Sequence, residues 1–291
     1  MTRVLTACLA VLLFTGTAAH AQVPKPPWAS PPQPSSVARL SPTQSASDGS
    51  SPFDAAAERE LFALANQARA QAGAPPLQLD EGLTQAARAH CKEMAARNQL
   101  SHQFSGEPEL AQRLAATSSL HMDQVGENVG YAASAEESHD GFMRSPHHRE
   151  NLLDPAFNVA GFGIIHSGNM LFVTQDFGHS LPSYSDDQAQ NDIADAVAKV
   201  RTKARLAPLK KVQTDAVQTA ACAMSKADAL THQFSAGRYI VRYTSNSPAQ
   251  LPNGSEKAID DPAATSFSVG ICFGRTTTYP TGIYWIVLVI S

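Results

Sequence analysis

The sequence predicts an α+β fold, in which a run of helices precedes a short antiparallel sheet and a partial second copy follows. Apolar residues recur at helical spacing between positions 61 and 94. Two apolar, strand-like segments then flank a turn at residues 167–169. Parts of this pattern return beyond residue 190. Helices and strands that are segregated along a chain pack as layers around one core, so we expect a layered sandwich.

The bulk composition is that of an ordinary globular protein. The chain has 291 residues, a hydrophobic fraction of 43% and a formal net charge of -4. This length suits one or two domains. The charge gives no electrostatic reason to expect nucleic acid or an anionic membrane as a partner.

The N-terminus has the form of a signal peptide, residues 1–21. Arg3 precedes an apolar run over residues 4–14, and residues 19–21 match a small-x-small cleavage pattern. The run is too short to span a membrane comfortably, so we expect cleavage after residue 21 and a secreted or periplasmic protein that is not integral to a membrane. Residues 22–52 are rich in Pro and Ser and are predicted to form a disordered linker.

Two amphipathic helices open the first domain, which is predicted to span residues 53–183. The apolar face of the first helix consists of Leu61, Leu64, Ala65, Ala68 and Ala72. Gly73 ends that run. Asp80 can cap a second helix, which we expect to end near Asn98.

Two shorter helices and two strands complete this domain. Residues 134–137, Ser-Ala-Glu-Glu, have the form of a capping box and predict a third helix. The Ser145-Pro146 step is expected to end it and to begin a fourth helix that runs through Leu153. The predicted strands cover residues 159–165 and 170–177.

The tail, residues 186–291, is predicted to be a degenerate second copy. The hexapeptide Leu-Ser-His-Gln-Phe-Ser at residues 100–105 returns as Leu-Thr-His-Gln-Phe-Ser at residues 230–235. Arg69 and Arg201 match at an offset of 132, and His102 matches His232 at 130. The stretch that would correspond to Glu127 and His148 is missing from the tail. The second copy is therefore expected to keep core elements and to lack most of the site.

Three cysteines remain after removal of the signal peptide. Cys91 lies on the apolar face of the second helix and is expected to be a buried, inert thiol. Cys222 and Cys272 both lie in the second copy and could form a disulfide, although the sequence does not fix their separation.

A series of short motifs runs in order between residues 60 and 178. They are Asn66 and Arg69, Pro76-Leu77, Ala86-Ala87, Ser101-His102, Gly126-Glu127-Asn128, the run Ser-Pro-His-His-Arg-Glu-Asn-Leu at 145–152, and Gly161-Phe162-Gly163. Together they resemble the CAP superfamily of cysteine-rich secretory, antigen-5 and pathogenesis-related proteins, in its bacterial form. The resemblance covers roughly the first domain and implies an α-β-α sandwich with a cleft.

The resemblance also implies a site. The family's cleft is lined by two histidines and a glutamate, which carry over by motif to His102, His148 and Glu127. These three residues are the candidate catalytic cluster, and His102 and His148 are candidate ligands for a weakly bound divalent metal, zinc above all. Glu127 is expected between two glycine-flanked turns, where it could accept hydrogen bonds from both histidines or cap loop backbone. His102 could instead be buried against Glu127 for structure alone.

The chain departs from the family pattern around the third helix. Many members have a second cleft glutamate there, but residues 142–145 contain no acid. Bacterial members usually have Trp where Phe142 stands and Gly where His147 stands, so His147 or His148 could face the cleft. The histidines without a partner motif, expected at the surface or at sheet edges, are His90, His121, His139, His166 and His179.

Three functions are compatible with these residues. The first, which we favour, is a secreted, non-enzymatic binding module for a lipid, sterol, peptide or envelope component. The second is an extracytoplasmic, peptidase-like hydrolase that uses a metal with His102, Glu127 and His148. The third is a structural envelope protein in which the second copy packs against the first. The sequence contains no Gly-x-Ser-x-Gly elbow and no His-Glu-x-x-His motif, so it permits hydrolysis without arguing for it.

Overall fold

The computed structural model of the protein describes residues 51–230 and 237–291. The predicted signal peptide (1–21), nearly all of the predicted linker (22–52) and His232 lie outside the described residues. The helices are α1 (Ala55–Ala72), α2 (Glu81–Arg97), α3 (Leu110–Thr117), α4 (Ala135–Arg144), α5 (Pro146–Leu153), α6 (Asp186–Lys203), α7 (Asp215–Ala227) and α8 (Glu256–Ile259). The strands are β1 (Gln78–Leu79), β2 (Met122–Ala132), β3 (Val159–Ser167), β4 (Met170–Ser180), β5 (Lys210–Lys211), β6 (Tyr239–Ser245), β7 (Ser266–Gly274) and β8 (Ile283–Ile290).

Capping residues define the helix ends of the first copy, as their sequence predicts. Gly73 ends α1 in the left-handed conformation, with φ of 75°. The Asp80 side chain accepts a hydrogen bond from the Leu83 amide at 2.8 Å and so begins α2. Ser134 accepts from the Glu137 amide at 3.1 Å and begins α4.

The first sheet has the strand order β1-β3-β4-β2. Strand β1 runs parallel to β3, and the other neighbours are antiparallel. Helices α1, α4 and α5 cover one face, where Leu61, Phe142 and Leu152 join Phe162 and Phe177 in one buried cluster. Helix α2 covers the opposite face. The fold class is therefore the predicted α+β class, as an α-β-α sandwich.

Helix α2 lies directly on β3 because that strand presents glycine to it. A Cβ atom added to Gly161 would overlap the backbone of Leu83 and Thr84. One added to Gly163 would overlap the backbone of Ala87. With no side chains between helix and strand, α2 carries its inner residues close to the sheet, where the candidate site lies.

The second sheet, β5-β7-β8-β6, repeats the strand order and strand directions of the first. Each copy also holds one buried arginine on its first helix. These arginines bind matching carbonyl groups at 2.7–2.9 Å: Arg69 donates to Pro75, Leu152 and Asp154, and Arg201 to Ala207, Ile259 and Asp261. The two sheets thus fit the predicted tandem arrangement with a degenerate C-terminal copy.

The second copy contains a disulfide, whereas the first contains a free cysteine. Cys222 on α7 and Cys272 on β7 form a disulfide with a Cα–Cα distance of 5.0 Å, the pairing that the sequence left open. Cys91 on α2 is a free, buried thiol that donates to the Phe172 carbonyl at 2.9 Å.

The first copy ends with β4 at Ser180, and the second begins with α6 at Asp186. Within residues 51–230 and 237–291, no helix has both the length and the apolar character needed to cross a membrane.

Candidate functional site

Glu127 lies in the middle of a strand, not between turns as its glycine neighbours predict. Strand β2 pairs continuously with β4 from Gln124 to Ala132. In that register Glu127 is directly opposite Asp176 of β4. The Glu127 side chain is buried. The expectation of a loop at Glu127 was therefore wrong, because pairing along the whole of β2 outweighs the weak strand preference of its glycines.

His102 lies in the loop between α2 and α3 and contacts Glu127 directly. Its Nδ1 is 2.8 Å from Glu127 Oε1, while 62% of its side chain is exposed. Among the described residues Nε2 has no hydrogen-bond partner. His102 is thus held at one nitrogen and open at the other, and it is not a histidine enclosed for structure alone.

Arg113 of α3 holds the other oxygen of Glu127. Its Nη2 donates to Glu127 Oε2 at 2.7 Å and to the His102 carbonyl at 3.1 Å. The Arg113 side chain is buried. A guanidinium and a carboxylate that are buried together stabilise one another only when closely paired, as they are here. Arg113 therefore fixes both Glu127 and the loop that carries His102.

His90 of α2 is a buried member of the same group, so its expected surface location was wrong. Its Nδ1 lies 2.6 Å from Glu107 Oε1, and its Nε2 lies 2.7 Å from the Ser101 carbonyl. Both ring nitrogens thus lie within hydrogen-bond distance of an oxygen atom, and these contacts fix the orientation of the buried ring. Glu127 Oε2 is 3.9 Å from the same Nε2.

The Glu107 carboxylate contacts both His90 and Arg113. Burial acts to raise its pKa. The hydrogen bonds from the Phe104 amide and His90, together with the charges of His90 and Arg113, outweigh burial and lower that pKa below its ordinary value. Glu107 is therefore the anion that faces His90.

Asp176 is a second carboxyl group beside Glu127 that the sequence motifs did not reveal. It is fully buried, and its pKa is raised well above its ordinary value, first by burial and then by the charge of Glu127. The raised pKa favours the neutral acid form of Asp176, in which the carboxyl group can act as a hydrogen-bond donor toward its neighbour Glu127. One signal could have revealed it: an aspartate within a predicted strand, at residues 170–177, whose first four residues are all apolar.

The two adjacent histidines of α5 differ in their exposure to solvent. The His147 side chain is 95% exposed and lies 3.6 Å from Glu150 on the surface. His148 is half-buried, with its ring 5.1 Å from that of Phe142. Burial, followed by the charges of His102 and His147, lowers the pKa of His148. His148 is therefore the member of the pair that packs into the fold, and its lowered pKa favours the neutral imidazole.

Two asparagines tie α5 to the strand that carries Glu127. Asn128 donates to the His148 carbonyl and to Gln175, both at 3.0 Å. Asn151 donates to the Glu127 carbonyl and to the Asn128 side chain, both at 3.1 Å. These bonds explain the polar residues of the Gly-Glu-Asn motif and set His148 beside the strand.

The remaining histidines divide into buried and exposed groups. His121 and His139 are buried, contrary to expectation. His166 and His179 lie at the surface and pair with Asp54 and Asp123. These four histidines form no part of the group around Glu127.

The metal-binding capacity of the site depends on two imidazoles. Within the described ranges, no group of three or more His, Cys, Asp or Glu side chains is arranged to hold a metal ion. His102 Nε2 and the neutral ring of His148 can each act as a ligand. Two imidazoles are too few to enclose an ion, so a metal held here would need its other ligands from solvent or from a bound molecule.

A groove of about 540 Å³ lies on a different face of α5. Its lining consists of Met143, Arg144, Pro146, Arg149, Glu150, Leu153, Asp154 and Pro155. His102, Glu127 and His148 do not line this groove, which is therefore separate from the candidate site.

Comparison with known proteins gives one family. The profile of the cysteine-rich secretory protein family, CAP, matches residues 62–177. The chain is 32% identical over 123 residues to the uncharacterized protein YkwD of Bacillus subtilis (strain 168), covering 41% of this chain and 46% of that one. The match thus spans about half the length of this curated relative.

Solved structures also match this chain. An extracellular protein containing a SCP domain from Bacillus anthracis str. Ames is 27% identical, with a TM-score of 0.39 over 43% of this chain and 41% of that one. Na-ASP-1 is 9% identical, with a TM-score of 0.42 over 82% of this chain and 90% of that one.

Proposed function

Because residues 62–177 form a domain of the cysteine-rich secretory protein (CAP) family, we propose that the protein is an extracytoplasmic binding module rather than an enzyme. In this proposal, His102 and His148 contact the ligand, and Glu127 orients His102. The observation that carries the proposal is that both carboxylate oxygens of Glu127 already have close partners.

An engaged Glu127 is poorly placed to act as a base. A general base needs an oxygen within reach of the proton that it removes, but Oε1 faces His102 and Oε2 faces Arg113. Cys91 is no substitute as a nucleophile, since burial raises the pKa of its thiol to about 12. These features favour binding over hydrolysis.

The ligand is expected to carry a polar group that meets two imidazoles. Exposed His102 and neutral His148 can donate or accept hydrogen bonds, or they can share a divalent metal such as zinc with the ligand. Such a metal, when bound, would supply a Lewis acid with open coordination positions. The partner classes remain a lipid headgroup, a sterol hydroxyl, a peptide or an envelope component.

Two features support an extracytoplasmic location. The first 21 residues have the form of a signal peptide. The Cys222–Cys272 disulfide is of a kind that persists in oxidising compartments and is rare in the cytosol.

The test is calorimetric titration of the mature protein with Zn²⁺, beside three histidine variants. We expect one weak site that His102→Ala and His148→Ala each reduce at least tenfold in affinity, the effect of losing one of two ligands. His147→Ala is the matched control, because this neighbouring histidine is 95% exposed. Equal zinc binding by all four proteins would exclude His102 and His148 as a shared site.

One observation favours the alternative of a metal-dependent hydrolase. Asp176, whose pKa is raised, lies directly opposite Glu127, and two adjacent carboxyl groups that share one proton can exchange it with a reacting group. Zinc-dependent cleavage of a peptide or ester that is lost in Glu127→Gln, with the fold intact, would establish hydrolysis and overturn the binding proposal.

A further inference from the structure

Helix α3, which carries Arg113, is short and packs on its own domain mainly through Leu114. It has eight residues, and Leu114 is its one buried residue. Its N-cap residue, Glu109, makes no side-chain capping bond. Helices this short are marginal without external contacts. Besides its own contact with Glu127, the position of Arg113 therefore depends on what holds the C-terminal end of the helix.

The C-terminal end of α3 is held from the second copy. Arg275, which follows β7, donates from Nη1 to the carbonyls of Ala115 and Ser118 at 2.9 and 2.8 Å. Its Nη2 donates to the Leu120 carbonyl at 2.9 Å. The last carbonyls of a helix lack partners within the helix and carry partial negative charge. One guanidinium from the second copy satisfies three carbonyls at and just beyond this helix end.

The same loop of the second copy holds the start of β2. The Thr281 hydroxyl donates to the Met122 carbonyl at 2.6 Å, in a buried contact. Met122 is the first residue of the strand that carries Glu127. The loop at residues 275–282, between β7 and β8, thus contacts both elements that bring Arg113 and Glu127 together.

We propose that the β7–β8 loop of the degenerate second copy, through Arg275 and Thr281, positions the site of the first copy. Arg275 and Thr281 are positioning residues: they fix α3 and β2, and these fix the Arg113–Glu127 pair. In this arrangement the second copy, which lacks counterparts of Glu127 and His148, has become part of the framework of the first site. The proposal deepens the proposed function but requires no ligand for its test.

The test is hydrogen–deuterium exchange of the full mature chain and of Arg275→Gln. We expect exchange about tenfold or more faster at residues 110–118 and 126–129, as the loss of hydrogen bonds from a charged donor predicts. Protection in α1 and in the core of α2 should stay unchanged. Arg238→Gln is the matched control, because Arg238 is a half-exposed arginine of the second copy that pairs with Asp261.

A double-mutant cycle distinguishes positioning from general support. Arg113→Gln and Arg275→Gln should be non-additive in stability, because each removes part of one chain of contacts, whereas Arg113→Gln and Arg238→Gln should be additive. Unchanged exchange at residues 110–118, a uniform rise across the first copy, or additivity of Arg113 with Arg275 would each overturn the proposal.

A second variant covers the case in which Arg275→Gln does not fold. Thr281→Val removes a single hydroxyl and should speed exchange at residues 126–129; unchanged exchange there contradicts the proposal. Zinc or ligand binding does not enter these measurements, so the absence of binding would overturn the proposed function and leave this inference standing.

Discussion

At the scale of single residues, the site places acidic side chains against basic ones. Glu127 lies against Arg113, and Glu107 lies against His90. Asp176 is enclosed with them, and a third anion there would be unopposed. The neutral form of Asp176, which its raised pKa favours, avoids that charge and is the less costly state for a carboxyl group in a buried site.

This state of Asp176 predicts an infrared signal. At neutral pH the wild-type protein should show the carbonyl stretch of a protonated carboxylic acid, and Asp176→Asn should remove it. Because Asn is neutral, similar in size and able to donate to Glu127, the free energy of unfolding should change by less than about 1 kcal/mol. Difference spectra and urea unfolding measure the two effects.

Asp140→Asn is the control for the infrared prediction, since the Asp140 side chain is exposed at the surface. If the protonated-acid band persists in Asp176→Asn, or if it is absent from the wild type, Asp176 is not the neutral member of the pair.

At the scale of helices and strands, the second copy depends on its disulfide. Cys222 on α7 and Cys272 on β7 are 50 residues apart in sequence, so their bond restrains a long segment of the unfolded chain. Replacing both with Ala should lower the free energy of unfolding of the second copy by about 4 kcal/mol on the chain-entropy estimate. Urea unfolding followed at Trp285, which packs in the cluster with α7, measures the loss.

Reductant supplies the control for the disulfide prediction. It should destabilise the wild type and leave the double alanine variant unchanged. A double variant as stable as the wild type would mean that the packing of α7 on β7 holds the second copy without the bond.

The elements that could be predicted are those with local signals. Asp80 and Ser134 begin α2 and α4 through their own side chains, and Gly73 ends α1. Strand β2 could not be predicted, because its glycines are typical of turns. In the structure, Gly126 and Gly130 instead make room for the rings of Phe157 and Phe142.

The residues of the candidate site likewise divide into those that a sequence motif indicates and those that it does not. The motifs give His102, Glu127 and His148 as residues, whereas Arg113, His90 and Asp176 join them through tertiary packing. Arg113 is on a short helix with one buried residue, too weak a pattern to predict from sequence. His147 and His148 are equivalent in the sequence, and only the packing of α5 on the sheet separates them.

At the scale of the whole molecule, a buried histidine lies where the two copies meet. His121 precedes β2, and its ring is 5.1 Å from that of Phe273 and 5.7 Å from that of Tyr284, both in the second copy. Its Nε2 is 3.3 Å from Asn246 Oδ1. Burial lowers the pKa of His121, and the charge of Arg275 acts in the same direction, against the opposing charge of Asp123.

This environment predicts a loss of stability in acid. An imidazole in the unfolded chain titrates near 6.5, above the lowered pKa of His121 in the folded protein. Between these two pKa values the unfolded state binds more protons, so stability decreases as the pH falls below about 6.5, by up to about 1.4 kcal/mol per pH unit for one such histidine. Above that pH, His121 adds no pH dependence. His139 and His148, whose pKa values are also lowered, add to the same trend.

His121→Gln isolates the contribution of the contact between the copies. Glutamine keeps a donor for Asn246 but loses the ring contacts with Phe273 and Tyr284, so the variant should be less stable than the wild type at pH 8. Because glutamine cannot titrate, the variant should lose less stability between pH 6.5 and pH 5. Urea unfolding across this range measures both slopes, and their difference should approach one proton. His166→Gln is the control, because 59% of the His166 side chain is exposed. Parallel slopes for wild type and His121→Gln would show that the contact between the copies stays intact in acid and that His139 and His148 account for the whole loss.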